Sequence, residues 1–188
     1  KVVAKLKNTA QILYIIYLGM FVIFAMILWI CGMPLFDSIV IAMGGAGTGG
    51  FAVYNDSIAY YNSDLITYVV TVGTLLFGVN FNLYFYILLR KIRFFFQDEE
   101  LRTYLTIVAV STSLIILNIF GIYHSLADSF KYSFFEVSTI ITTTGFGLTD
   151  ITKWPLFSQY ILLLLMFIGG SAGSTAGGFK VIRAMIIA

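Results

Sequence analysis

Thr142-Thr143-Thr144-Gly145-Phe146 lies towards the end of a short apolar stretch, residues 137–149, and Gly47-Thr48-Gly49-Gly50-Phe51 lies towards the end of another, residues 38–55. Gly50 and Gly145 stand 95 residues apart. Neither stretch reaches the roughly 20 residues that a helix needs to cross a bilayer core. Threonine and glycine are also poor helix formers, so each helix should end inside the apolar region. The pattern predicts a dip, in which a short helix enters the membrane and a loop returns to the same side. The preceding helices are expected at residues 34–43 and 126–141.

Composition supports the bilayer as solvent. Hydrophobic residues make up 60% of the chain and charged residues 11%, against roughly 25% charged in a soluble domain. Mean hydropathy is +0.95. Disorder is excluded because 18 Phe and 12 Tyr are far too many for a chain that cannot collapse. The single cysteine, Cys31, rules out an internal disulfide and reads as a small buried hydrophobe.

Charge-free runs at residues 8–36, 65–89, 103–127 and 154–179 predict four crossings around the two dips. With that topology Lys1, Lys5, Lys7, Arg90, Lys91, Arg93, Arg102, Lys180 and Arg183 fall on one side, which is the cytoplasmic one by the positive-inside rule. Lys131 and Lys153 fall opposite, with Asp37, Asp56, Asp64, Asp128, Glu136 and Asp150. Trp29 and Trp154 are expected in the outer aromatic belt, and Arg93-Phe94-Phe95-Phe96 as an inner-interface anchor. No cleavable signal peptide is visible, and both ends read as cut from a longer chain.

Span, dip and span therefore occur twice, at residues 9–90 and 103–188, with an entry segment at 1–8 and a cytoplasmic linker at 91–102. Two crossings per unit leave both units pointing the same way, unlike inverted repeats. Parallel units of this kind arrange around an axis. In the membrane, irregular backbone survives only where its polar groups are buried in protein or face water or ions. A dehydrated cation can satisfy such carbonyls, glycine lets them turn inward, and the preceding helices aim their negative ends at it. The competing reading is close packing of two helices through small residues.

These features resemble the Trk/Ktr/HKT superfamily of potassium transporters, in particular its bacterial Trk branch. The resemblance rests on the two loops, on the run Gly169-Gly170-Ser171-Ala172-Gly173-Ser174-Thr175-Ala176-Gly177-Gly178, and on the entry Lys5-Leu6-Lys7-Asn8-Thr9. It implies an all-α membrane protein with a pseudo-fourfold, channel-like arrangement of four span-loop-span units, of which this chain carries the second and third. Gly50 and Gly145 match the family's filter glycine. The carbonyls of Gly47, Thr48 and Gly49, and of Thr142, Thr143 and Thr144, would line a potassium path. Gly169, Gly170, Ser171, Gly173, Ser174, Thr175, Gly177 and Gly178 would form a loop under the filter that obstructs the inner pore. A continuous close-packed helix is the other reading of that run, since Gly169, Gly173 and Gly177 recur at small-xxx-small spacing.

The family also implies a homodimer, a cytosolic nucleotide-binding regulatory subunit, the remaining repeats of the same protein, and a multi-pass place in the inner membrane. Potassium is the implied ion, with no organic cofactor and no nucleic acid. A sodium-permeable transporter of the same fold is an alternative. Gly45 to Gly50 match a dinucleotide fingerprint without its βαβ setting, and Phe179 interrupts the Walker-like run before Lys180. Gly169 to Gly173 fit the serine-hydrolase pattern, which would make Ser171 a nucleophile and His124 its base, although the two are expected on opposite sides of the membrane.

Overall fold

The structure, a computed structural model, describes residues 2–187, with side chains from Ala10 onward. Lys1 and the side chains of Lys5 and Lys7 lie outside the described part. The described residues form nine α-helices and two short 3-10 turns, with no strand among them.

The first unit opens with α1 (Val2–Ile30), followed by the short α2 (Leu35–Ala46), a 3-10 turn (Ser57–Tyr61), α3 (Asp64–Phe77) and α4 (Phe81–Leu88). A linking helix α5 (Ile92–Gln97) leads into the second unit, α6 (Glu99–Tyr123), α7 (Leu126–Ile141), a second turn (Ile151–Lys153), α8 (Leu156–Ile168) and α9 (Val181–Ile187). The order repeats, and α2 and α7 end 95 positions apart. Helix α7 has the expected bounds, while α2 runs three residues past the expected Met43.

Among the described residues two helices are long and apolar enough to cross a membrane unbroken, 10–30 within α1 and α6. Their outward surfaces are apolar, with Ile30 and Leu117 each 79% exposed, as lipid-facing residues should be. The expected crossing at 65–89 is not one straight helix: α3 and α4 meet at 93° across Gly78-Val79-Asn80. The expected crossing at 154–179 ends as a helix after 13 residues, at Ile168. These breaks occupy corresponding places in the two units, and each explains the other. Ending α3 leaves the carbonyls of Phe77 and Gly78 without a donor from the helix end, which a membrane interior would penalise, while Leu75 O and Leu76 O accept from Gly78 N at 3.1 Å and Val79 N at 3.2 Å. Tyr104 donates to Leu75 O at 3.2 Å and Tyr84 to Leu76 O at 2.6 Å. The glycine-rich segment supplies the two missing donors, Thr175 Oγ1 to Phe77 O at 3.2 Å and Ser171 N to Gly78 O at 3.0 Å. In return Phe81 N donates to Gly173 O at 3.0 Å.

The units interlock across α3, which packs on α2 of its own unit and on α7 of the next. Phe146 carries the loop after α7 into the first unit's core, where it is 1% exposed and reaches α2 at Gly44 and Gly45. Gly45 and Gly73 also make room for the ring of Phe24. Trp154 departs from its expected place in the lipid belt: it is buried, and its ring nitrogen donates to the Tyr123 hydroxyl at 3.2 Å.

Charges segregate to opposite ends of the helices. Lys131 pairs with Asp64 at 2.9 Å and Asp128 at 3.1 Å, joining the two units at one end. At the other end Asp98 caps α6 by accepting from Leu101 N at 2.8 Å, close to Glu100 and the glycine-rich segment.

Candidate functional site

Both dip helices end in the same hydrogen-bond pattern. In the first unit Gly47 N donates to Met43 O, Thr48 N to Gly45 O, and Gly49 N and Gly50 N both to Gly44 O. In the second, Thr142 N donates to Ser138 O, Thr143 N to Ile140 O, and Thr144 N and Gly145 N both to Thr139 O. The N–H groups of residues 47–50 and 142–145 thus all fold back onto the helix they leave. Among the described residues no donor meets the carbonyls of Thr48, Gly49, Thr142, Thr143 or Thr144. Gly47 O has only the hydroxyl of the adjacent Thr48 within reach, at 2.8 Å, and the one proton of that hydroxyl has a second acceptor in Thr175 O at 3.0 Å.

Repeat-related backbone angles produce this. Thr48 and Thr143 have φ of 50° and 56°, Gly50 and Gly145 of 65° and 82°. Glycine accepts such angles freely, whereas a β-branched residue there is strained by on the order of 1–3 kcal/mol and needs its surroundings to hold it. Side-chain bonds stiffen the second loop further. Thr142 Oγ1 donates to Ser138 O at 2.7 Å and lies 2.8 Å from Thr144 Oγ1, and Phe146 N donates to Thr139 Oγ1 at 2.7 Å.

The loops lie side by side. A Cβ on Gly50 would overlap the Thr144 carbonyl oxygen and stand 2.9 Å from Gly145 C. Beyond them, Gly147 N donates to Ser57 Oγ at 3.2 Å and Ile58 N to Gly147 O at 3.1 Å.

Carboxylates brace the exits from both loops. Asp37 accepts from the Tyr61 hydroxyl at 2.9 Å, and Glu136 from Leu148 N at 3.4 Å. Burial first, then the bond to Asp37, raises the Tyr61 hydroxyl well above its usual pKa. Exposed Asp150 is held below its usual value by hydrogen bonds from Thr152, with Lys153 adding to them.

Residues 169–178 form a closed loop, not a continuous helix. Its ends touch backbone to backbone, since a Cβ on Gly169 would stand 2.8 Å from Gly178 Cα; both residues, like Gly173, have positive φ. Phe179 N then donates to Phe167 O and Val181 N to Gly170 O, returning the chain to the end of α8. The loop meets the two filter candidates directly: Thr48 Oγ1 donates to Thr175 O at 3.0 Å, and Gly177 N to Thr143 Oγ1 at 2.7 Å. All three segments singled out in the sequence are therefore brought together.

Two partners of this loop were not singled out as site residues. Glu100, only 7% exposed, accepts from Ala172 N at 2.6 Å. Lys180 turns its amine onto Ala176 O. Ser171, buried with no partner for its hydroxyl, lies at the Glu100 end of α6, and His124 ends the same helix. About 24 residues of helix, roughly 36 Å, separate those ends, which excludes a serine–histidine pair.

The TrkH profile, described as a cation transport protein, matches residues 1–188. The chain belongs to the TrkH family. It is 36% identical over 188 residues to the Trk system potassium uptake protein TrkH of Salmonella typhimurium, covering 97% of this chain and 38% of that protein. With the Trk system potassium uptake protein TrkG of Escherichia coli it shares 34% identity over 192 residues, covering 100% of this chain and 39% of that protein. The crystal structure of the potassium transporter TrkH from Vibrio parahaemolyticus superimposes with a TM-score of 0.92 at 33% identity, over 96% of this chain and 40% of that one. The chain thus spans about two fifths of the length of the relatives it matches. Its TrkH-family fold is that of an all-α membrane protein, and the relatives it resembles are named as transporters rather than enzymes.

Proposed function

We propose that this chain supplies two of the units around a potassium-uptake pore in a multi-pass protein of the inner membrane. Residues 9–90 and 103–188 would be the second and third of four units, joined by a cytoplasmic linker at 91–102. The carbonyls of Gly47, Thr48 and Gly49, and of Thr142, Thr143 and Thr144, would take the place of water around the ion, with Gly50 and Gly145 setting the turn that aims them. Residues 169–178 would obstruct the path beneath the filter until the protein is activated.

One observation carries the filter reading. Both loops turn the N–H groups of residues 47–50 and 142–145 back onto their own helix and leave a row of carbonyls unpaired, in repeat-related register. Inside a membrane such carbonyls need a cation or water, because an unsatisfied polar group there costs several kcal/mol. A packing role for the glycines would not require that pattern. Potassium as the ion is supported by the potassium-uptake names of the relatives. The remaining units would come from the same protein, and a homodimer with a cytosolic nucleotide-binding regulatory subunit completes the proposal.

The test is uptake by the full-length protein in potassium-deficient cells, with potassium and sodium compared. Potassium uptake that excess sodium inhibits only weakly supports the reading. Equal uptake of both ions would move the assignment to a sodium-permeable transporter of the same fold.

A further inference from the structure

We infer that the hydroxyls of Thr48 and Thr143 latch the glycine-rich loop shut, so that the filter loops themselves hold the gate closed. This rests on the proposed reading of the two loops as filter and of residues 169–178 as gate.

The two threonines occupy the same position in the two units. Each has the left-handed backbone that a β-branched residue resists, with φ of 50° and 56°. Each uses its side-chain oxygen on the same distant segment: Thr48 Oγ1 donates to Thr175 O at 3.0 Å, and Thr143 Oγ1 accepts from Gly177 N at 2.7 Å. One threonine binds a carbonyl of the loop and the other an N–H two residues on, so the pair clasps the loop by both kinds of backbone group. Gly177 has no Cβ to hold Thr143 away; a Cβ there would stand 3.1 Å from Thr143 Oγ1.

The Thr48 hydroxyl carries one proton and has two acceptors, Thr175 O and Gly47 O at 2.8 Å. Donating to Thr175 leaves the Gly47 carbonyl free for the ion path. Withdrawing the loop returns the proton to Gly47 O, where it competes with a cation for that oxygen. Gate position and filter chemistry are thereby linked through a single hydrogen.

The experiment uses full-length protein in vesicles, with potassium flux measured per folded, monodisperse molecule. Thr48→Val and Thr143→Val remove the hydroxyl and keep the side-chain shape; Thr48→Ala and Thr143→Ala provide a second pair free of β-branching. Serine at either position keeps the hydroxyl. The expected result is a several-fold rise in unstimulated flux for valine or alanine, a larger rise when both positions change, and a fall back towards the parent flux with serine. Hydroxyl-free variants whose flux matches that of the serine variants overturn the latch, as does any loss of flux. Deletion of residues 172–175 is run alongside. If deletion raises flux while the threonine variants do not, the latch alone is wrong; if deletion leaves flux unchanged, the gate reading beneath it falls as well.

Discussion

Gly50 packs edge to edge with Thr144, leaving no space for a side chain at position 50, whereas a Cβ on Gly145 would meet nothing within 4 Å. The same backbone turn therefore has one neighbour in the first unit and an open flank in the second. Phe51 and Phe146 show the complementary asymmetry: the first is 78% exposed and the second 1%. Across the one junction between the units, the second loop presses Phe146 into the first and the first offers Gly50 to the second, the contact that head-to-tail stacking around an axis would repeat.

Gly50→Ala and Gly145→Ala in the full-length protein should both lower selectivity for potassium over sodium. Left-handed backbone costs a residue with a Cβ about 1–2 kcal/mol, a factor of roughly 5–30 in any equilibrium that depends on the turn. Gly50→Ala adds the clash with Thr144 and should be the more damaging. Competitive uptake of the two ions measures this, and unchanged selectivity in both variants would remove these loops from the filter.

Much of this arrangement was legible in the sequence, because it depends on short-range signals. Thr-Gly runs inside apolar stretches marked the ends of α2 and α7, and the 95-residue offset marked the repeat. What stayed hidden depends on partners far along the chain. Nothing local in Gly78-Val79-Asn80 distinguishes a 93° bend from one glycine in a straight helix; the bend is tolerable because Ser171 and Thr175, almost a hundred residues later, satisfy Gly78 O and Phe77 O. Trp154 read as a belt residue for the same reason, since its partner Tyr123 lies 31 positions away. Glu100 likewise has no local signal in Asp98-Glu99-Glu100, because its partner Ala172 lies 72 positions away.

Glu100→Ala should loosen the glycine-rich loop without dismantling the helices around it. Its carboxylate accepts the Ala172 N–H at 2.6 Å, and losing a hydrogen bond to a charged group costs about 1.5–3 kcal/mol. Amide hydrogen exchange across residues 170–174 should accelerate roughly tenfold or more, with exchange in the middle of α6 unaffected. Glu100→Gln keeps an acceptor and should fall between. Exchange in the loop that matches the parent in Glu100→Ala would mean that the other bonds to Phe77, Gly78 and Thr143 suffice to hold it.

Membrane sidedness follows from the two charged ends. A cysteine replacing Asp98 should be labelled by an impermeant reagent only from the cytoplasm, and one replacing Asp150 only from outside. Both positions are N-caps, so a cysteine there gives up a cap bond, at about 0.5–2 kcal/mol, and leaves the core untouched. Labelling of position 98 from outside would overturn the assignment of the first dip and with it the repeat, because an extra crossing there inverts everything after it.

Deleting residues 172–175 from the full-length protein separates a gate from a packing surface. The loop makes both kinds of contact in the fold: it lies against Thr48 and Thr143, and it caps the carbonyls that the α3–α4 bend sets free. Removing Thr175 leaves Phe77 O without its donor, and shortening the loop strains the bond from Ser171 N to Gly78 O. Some loss of folded protein is therefore expected on either reading, at about 1–3 kcal/mol for each unsatisfied carbonyl. Flux must for that reason be divided by the amount of folded protein. If the loop obstructs the ion path, its contacts with Thr48 and Thr143 disappear and each surviving molecule should conduct several-fold more. If it serves only to cap the bend, the molecules that fold should conduct as the parent does, and the yield alone should fall. A normalised flux equal to the parent's would thus assign residues 169–178 to the architecture of the bend and not to gating.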